Sequence, residues 1–421
     1  MLLNMDVLGF FRSAKQFGFF LAVFGSAFSN SFCGIGLGTY AGAALLETLF
    51  CRGVARPAFP FPRLVVALAL SLLVSVFISH YFWVSLQGFG KYLQTFLIFY
   101  AAQDVLRTER DLMGLLVVFL AAYWLAGASG VYQEIFGADF LRGRTANIYM
   151  GDIKRLTGSF KNCNDYGTFL MPGFAIVVAA IFGAPPKRKL IFVGANAVLL
   201  AVLSYVLMRS LSRSAILSLF VALFFFSFFF RAWRVAVPSL AAVMALLWVI
   251  PSSLSERLHE IPSWTGGDMG ERFLLIRTTL KMIAVNPLFG LGVNTYSDYF
   301  PQFKPADYPA AMYSHNTYLQ MASEIGWIGV TLYFALIVLA GFSAWRALRK
   351  APRGLPRWFG AALLVGAVGF LFNCLFESAL QSTQLRTLFW ALLGSAYAVA
   401  KNILPSDITM SRDRADIPKR R

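Results

Sequence analysis

LIFVGANAVLLAVLSYVLM runs from Leu190 to Met208, and AILSLFVALFFFSFFF runs from Ala215 to Phe230. Between them lie only Arg209-Ser-Leu-Ser-Arg-Ser214. A membrane-crossing helix needs about 20 mainly apolar residues. Each of these runs approaches that length without a single charge, and so short a joint makes them a hairpin. The stretch therefore reads as two spans that meet on one side of a bilayer, with two arginines at their junction.

The same pattern recurs along the chain. Ten further spans are expected: Phe17–Phe32, Gly34–Phe50, Leu64–Phe82, Trp83–Gln103, Leu112–Gly130, Tyr166–Ala184, Val235–Ile250, Trp327–Trp345, Trp358–Phe376 and Leu388–Ala400. Pro172 and Pro238 fall inside spans, where neighbouring helices can satisfy the freed carbonyls. Composition agrees: the 421 residues are 58% hydrophobic and 14% charged, too few charges for a soluble chain of this size. The expected fold class is an all-α polytopic membrane protein of about twelve helices with a partly helical outer segment. The four cysteines are scattered and form no metal or redox spacing. No cleavable leader is evident at the start, where the first apolar run reads as a span.

The net charge of +17 would suggest nucleic acid in a soluble protein. Here the basic residues cluster in short loops. Arg12/Lys15, Arg52/Arg56/Arg63, Arg107/Arg110, Lys187/Arg188/Lys189, Arg231/Arg234, Arg346/Arg349/Lys350/Arg353/Arg357 and the tail Lys419-Arg420-Arg421 all fall on one face if twelve spans are threaded. Positive loops stay in the cytoplasm, so both termini are expected there. Orientation and anionic lipid account for the charge without nucleic acid. Residues 1–403 then form one integral membrane domain, and 404–421 a disordered basic tail.

Two sizeable segments remain for the opposite face, 131–165 and 251–314. The second contains an expected surface helix. Asp268 and Glu271 have capping-box spacing, Asn286-Pro287 is a stop, and Phe273, Ile276, Leu280 and Ile283 recur at helical spacing between them.

Several arginines on that outer face run against the charge rule. Arg209 and Arg213 sit at membrane-embedded helix ends, where charge is costly and tends to be functional; snorkelling to headgroups is the plainer alternative. Arg272 and Arg277 lie on the expected surface helix, five residues apart and so pointing in different directions; for Arg277 a solvated face is the better reading. Arg142, Arg144, Lys154, Arg155 and Lys161 make a basic patch suited to an anionic glycan or to headgroups. His315, one of three histidines, lies at the outer mouth of the tenth span. There it is either a general base working near neutral pH or a structural hydrogen bonder. Glu324 is too far along the helix to stack on His315. Glu377, near the outer end of the eleventh span, is a candidate partner for an outer arginine or a simple helix terminator. No Asp-x-Asp occurs in the outer segments, no metal-ligand spacing is found, and no phosphate-binding Gly-x-x-x-x-Gly-Lys supports an ATP-driven pump. No cofactor is expected.

Taken together, these segments resemble the O-antigen ligase/polymerase superfamily. SHNTYLQMASEIGWIG, Ser314 to Gly329, is similar to that family's His-Asn-x-x-Leu…Glu-x-Gly-x-x-Gly signature. Glu271-Arg-Phe with Asn286-Pro-Leu-Phe-Gly-Leu-Gly292 resembles its Arg…Pro-x-x-Gly-x-Gly stretch. Ser212-Arg-Ser-Ala215 is similar to its Ser-Arg-small turn. Arg155-Leu-Thr-Gly-Ser-Phe-Lys-Asn-Cys-Asn-Asp165 resembles its Gly-x-Phe-x-Asn-x-Asn element, with Cys163 where Pro is common. Phe372-Asn…Phe376-Glu-Ser378 also fits.

The resemblance implies a metal-independent, inverting glycosyltransferase at the outer face of a bacterial inner membrane. Its donor would be a glycan on a polyprenyl (undecaprenyl) diphosphate, and its acceptor lipid A-core, a growing glycan or a protein. It implies that His315 activates the acceptor hydroxyl and that Arg213 and Arg272 hold the donor diphosphate. Arg209, Asn316, Glu324 and Glu377 are candidate supporting residues. The ligase reading comes first, although the outer segment is compact for a ligase. A polysaccharide polymerase of the same superfamily is the near alternative. A lipid-linked glycan flippase is the distant one, and it would need charge along a midplane path.

Overall fold

The computed structural model describes residues 2–51, 54, 56–149, 153–183, 189–230, 267–309 and 313–404. The predicted ninth span Val235–Ile250 with Pro238, the portion 251–266 of the second outer segment, His259 and nearly all of the 404–421 tail lie outside these residues.

Among the described residues, eleven helices overlie the other predicted spans. They are α1 (Leu2–Gly25), α2 (Asn30–Phe50), α3 (Pro62–Ile78), α4 (Phe82–Val105), α5 (Glu109–Phe136), α6 (Cys163–Phe182), α7 (Lys189–Ser210), α8 (Arg213–Phe230), α11 (Thr317–Lys350), α12 (Leu355–Asn373) and α13 (Thr383–Ala398). By length and composition seven of them, α1, α2, α5, α6, α7, α11 and α12, can cross a membrane, and α3 and α8 are shorter apolar helices. The fold is an all-α polytopic membrane protein. Its one sheet among the described residues is a small antiparallel hairpin, β1 (Asn147–Tyr149) on β2 (Ile153–Arg155), pairing Ile148 with Lys154. α9 (Gly267–Val285) and α10 (Tyr296–Phe303) are the other two α-helices among the described residues.

Boundaries differ from expectation where hydropathy cannot see turns. The apolar run Phe17–Phe32 crosses the turn between α1 and α2: α1 ends at Gly25, and Ser26 Oγ donates to the Val23 carbonyl at 2.6 Å. Polar caps set other starts. Thr108 and Asp111 form a full capping box on α5. Asn162 caps α6 by accepting from Asp165 N at 2.7 Å, and Asn316 caps α11 by accepting from Leu319 N at 3.0 Å.

α6 is the most enclosed of the seven long apolar helices and packs on α5, α7, α8 and α12. Pro172 sits inside it without ending it. Buried aromatics such as Tyr123, Phe169, Phe370 and Trp390 fill the space between these helices.

Near the ends of α2 and α4, ions rather than apolar side chains join the helices. Lys15 Nζ lies 2.7 Å from Glu47 and 2.9 Å from Asp104, and all three residues are buried. Tyr40 donates to Asp104 at 3.1 Å, and Arg107 pairs with it at 2.6 Å. Arg12 reaches Asp111 at 3.5 Å. Three of the basic residues expected to mark orientation thus also tie α1, α2, α4 and α5 together.

The most informative local feature is a break in α11. Gly326 has φ 64° and ψ 176°, outside the helical region. The loop after α9 lies against this break: Trp327 N donates to the Pro287 carbonyl at 2.8 Å, Leu291 N to Ser323 O at 2.8 Å, and Gly292 N to Glu324 O at 3.0 Å. A Cβ on Gly326 would collide with the Leu288 carbonyl, and one on Gly290 with the Glu324 carbonyl. Backbone meets backbone here, so both positions require glycine. The segment Asn286–Gly292 and the Glu-x-Gly stretch of α11 are two halves of one joint, which fixes α9 relative to the start of α11.

Candidate active site

α6, α8 and α11 begin, and α7 and α12 end, at the same end of the bundle. The turn between α7 and α8 is closed by Leu211 in a left-handed conformation (φ 52°), which places Arg213 at the first position of α8. His315 precedes α11, also left-handed at φ 53°. A bulky residue there is uncommon and is held only where surroundings enforce it. The enforcing contacts are visible: Ser314 Oγ donates to the Asn316 carbonyl at 2.7 Å, and Thr317 N donates to Cys374 O at 2.9 Å.

These elements enclose a cavity of about 420 Å³ lined by Arg213, Arg272, Ser314, His315 and Asn316, with apolar walls that include Leu217 and Phe273. Glu377 stands behind it, buried at the end of α12. Its Oε2 lies 3.1 Å from His315 Nδ1. Its Oε1 accepts from Asn164 Nδ2 at 2.9 Å and from Arg272 NH2 at 3.3 Å. Arg272 NH1 also donates to the Phe376 carbonyl at 2.8 Å. Asn164 is held in turn by Arg155, whose NH2 donates to Asn164 Oδ1 at 2.9 Å, while Arg155 Nε donates to the Ser210 carbonyl at 3.1 Å. An ionised carboxylate can only accept, so opposite one a neutral His315 imidazole would donate from Nδ1 and leave Nε2 as the acceptor.

A second cavity, about 260 Å³, meets the first at His315 and has Glu377 in its own wall. Its wall is polar, and four cations line it: Lys91, Arg142, Arg144 and Lys161. The loop bearing two of them is built by Asp139 and Gln133. Asp139 Oδ1 accepts from Leu141 N and Arg142 N, each at 2.9 Å, and Oδ2 from Arg144 N at 2.6 Å. Gln133 Nε2 donates to the Arg144 carbonyl at 2.8 Å. Burial, and then the neighbouring Arg142, lower the pKa of Arg144. Burial raises the Tyr313 phenol in the same wall, reinforced by Asp165.

The structure thus brings Arg213, Arg272, His315 and Asn316 to one cavity, with Glu377 in direct contact with two of them. Asn316 acts as a helix cap and donates to the Leu375 carbonyl at 3.1 Å. Arg209 stands apart: Glu134 holds it by a two-pronged ion pair at 2.8 and 2.6 Å. Glu324 is buried at the α11 joint, accepting from Asn294 N at 3.1 Å and from Gln320 and Gln381 side chains. Arg277 is exposed on α9, outside both cavities. The predicted apolar stripe of that helix splits. Ile283 is buried, as are Leu275 and Met282, while Phe273 and Leu280 are exposed. Asp268 is the second residue of the helix, which begins at Gly267.

Sequence reasoning passed over Lys91. It lies inside an apolar run, and a cation there is costly enough to be a functional signal by itself. It also gave Asn164 no role, since an asparagine declares its partner only when the fold supplies one.

The class defined by this fold and site is a polytopic membrane protein with a two-arginine, one-histidine cavity where its helices end. Residues 197–334 match the family model described as O-antigen ligase. This stretch includes Arg213, Arg272 and His315, agrees with the motif resemblance, and supports the O-antigen ligase superfamily with its glycosyltransferase-like function. No curated protein matches the chain.

Proposed function

We propose that the chain is an inverting glycosyltransferase that moves a glycan from a polyprenyl diphosphate carrier to an acceptor hydroxyl, at the periplasmic face of a bacterial inner membrane. Lipid A-core is the proposed acceptor, making it an O-antigen ligase. The observation that carries this reading is the lining of a single cavity by Arg213, Arg272 and His315, with Glu377 against the imidazole.

The chemistry follows from the charges. Nε2 of His315 takes the proton of the acceptor hydroxyl, and that oxygen attacks the anomeric carbon. The sugar–phosphate bond breaks, and the electron pair leaves with the lipid diphosphate. Guanidinium groups match phosphate oxygens in pairs and gain strength in a partly dry site. Donors of this kind contribute about 3 kcal/mol each to transition-state stabilisation. A positioned base adds about 10²–10⁴-fold. The arginines supply the positive charge, so the reaction is proposed to need no metal ion. An apolar groove of about 350 Å³ between α8, α11 and α12, lined by Phe225, Ile337, Trp345 and Leu364 among others, suits the carrier's hydrocarbon tail.

The test incubates the purified protein in chelator with a polyprenyl diphosphate-linked glycan and, in turn, lipid A-core, a free glycan or a protein acceptor. Mass gained by lipid A-core is the expected result. Mass gained by the glycan alone reassigns the chain to the polymerases. Movement of the donor across a bilayer without bond cleavage overturns the enzyme reading.

A further inference from the structure

Two cavities share His315 and differ in everything else. The first has apolar walls and two arginines. The second is a polar basin ringed by Asn30, Lys91, Arg142, Arg144, Lys161 and Gln384. A base that takes a proton from one reactant and serves attack on another must face both, and among the described residues that line the two cavities only the His315 imidazole does so.

The basin's charge is lopsided. Its two carboxylates are Asp165 and Glu377, and Glu377 is already engaged by Arg272, Asn164 and His315. Among the described residues, none of its four cations has a carboxylate within ion-pair distance. Lys91 donates only to the neutral Asn294 side chain, at 2.8 Å. Arg142 donates to the Phe28 carbonyl at 3.3 Å. Arg144 Nε is buried and has no hydrogen-bond partner. Unpaired cations, one with an orphaned buried donor, are costly to hold without an anion to meet them. The remaining wall of amides and hydroxyls (Asn30, Asn162, Ser382, Thr383, Gln384) matches the hydrogen-bonding surface of a sugar.

We propose that this basin is the acceptor subsite, and that it selects an anionic glycan, one bearing phosphate or carboxylate groups, over a neutral one. The proposal deepens the glycosyltransferase reading and rests on it for the word acceptor. The selectivity itself is a binding property and can be tested separately.

The experiment measures equilibrium binding to the full-length protein in neutral detergent. Three probes share one oligosaccharide backbone: a phosphate monoester, a uronic acid and the neutral sugar. The wild type is expected to bind at least one anionic probe about tenfold tighter than the neutral one, the effect of roughly 1.4 kcal/mol. In Arg142→Ala/Lys161→Ala, two exposed positions, that preference is expected to disappear, while binding of a polyprenyl diphosphate stays unchanged. Arg142→Lys/Lys161→Arg is expected to keep the preference. Equal binding of all three probes, or a preference that survives the alanine pair, overturns the proposal. So does displacement of the glycan by phosphatidylglycerol at equal phosphate, which would assign the basin to headgroups. A clear preference from a protein that never cleaves donor would retire the transferase reading and leave the anionic basin standing.

Discussion

Glu377 Oε2 lies 3.1 Å from His315 Nδ1, while Oε1 of the same carboxylate faces Arg272 NH2 at 3.3 Å. One buried side chain thereby orients both the proposed base and one of the proposed diphosphate ligands. The Asn164 amide, at 2.9 Å, holds that carboxylate from the α6 side. Four motifs far apart in sequence, at Asn164, Arg272, His315 and Glu377, are joined by direct hydrogen bonds, and Arg213 faces the same cavity from α8.

Glu377→Gln removes the charge but keeps the shape. The imidazole then loses the partner that fixes its Nδ1–H, and Arg272 loses its carboxylate. Transfer is expected to fall on the order of 10–100-fold, the scale on which an orienting partner acts. The loss should appear in kcat, with the donor KM little changed. His315→Ala should cost more, about 10²–10⁴-fold. Single-turnover transfer from a labelled lipid-linked donor measures both. Equal rates in wild type and His315→Ala would remove His315 from the chemistry.

Arg209 and Arg213 occupy one six-residue turn but have different surroundings. Arg213 faces the cavity, and Arg209 is clamped by Glu134. Arg213→Ala is therefore expected to lower transfer about 10²–10³-fold without a change in melting temperature. Arg209→Ala breaks a partly exposed ion pair and should lower thermal stability modestly, with donor turnover retained. Finding the two effects exchanged would show that the diphosphate binds on the other side of the turn.

The spans were legible because twenty apolar residues leave few alternatives in water, and the helices follow those runs from α1 to α13. The site was legible for a different reason. A cation at an outer helix end and a lone histidine at a span mouth run against the local pattern, so Arg213, Arg272 and His315 could be singled out. The network could be read only in part: Glu377 was a candidate partner for an outer arginine, but nothing singled out Arg272 as that arginine or Asn164 as the third member, because each lies more than a hundred residues from its neighbour and only the packed bundle brings them together. The place of Glu324 was hidden for a related reason. Its carboxylate serves the joint at Gly326, and nothing in an α-helical spacing argument foresees a residue with φ 64° in the middle of a long helix. The β1–β2 hairpin escaped notice because three-residue strands carry too little alternation to register.

Gly326→Ala tests that joint. Alanine must adopt a backbone conformation that costs on the order of 1–3 kcal/mol, and its methyl group would meet the Leu288 carbonyl. The loop before α10 should be pushed off α11, moving α9 and Arg272 relative to His315. Reduced melting temperature and lost transfer are expected together, since no catalytic group is altered. Proteolysis within 286–292, faster than in wild type, would locate the damage. A variant with native stability and native transfer would mean that the joint does not set the distance between Arg272 and His315.

Lys15→Met tests the other end of the bundle. The substitution leaves Glu47 and Asp104 facing one another in a buried setting, with Arg107 still on Asp104 but nothing opposite Glu47. Removing one partner of a buried ion cluster costs about 3–5 kcal/mol, because the remaining charge has neither water nor a counter-ion. The melting temperature in detergent should fall markedly. Lys15→Met/Glu47→Leu should recover much of the loss, since the stranded charge is removed with its partner and Arg107 continues to neutralise Asp104. The recovery discriminates between two roles for Lys15. If its charge mattered only for threading the chain through the membrane, the double variant would insert as poorly as the single one. If it mattered for packing α1 and α2 against α4, the double variant would fold. The buried position of Lys15 and its 2.7 Å contact with Glu47 favour the second outcome.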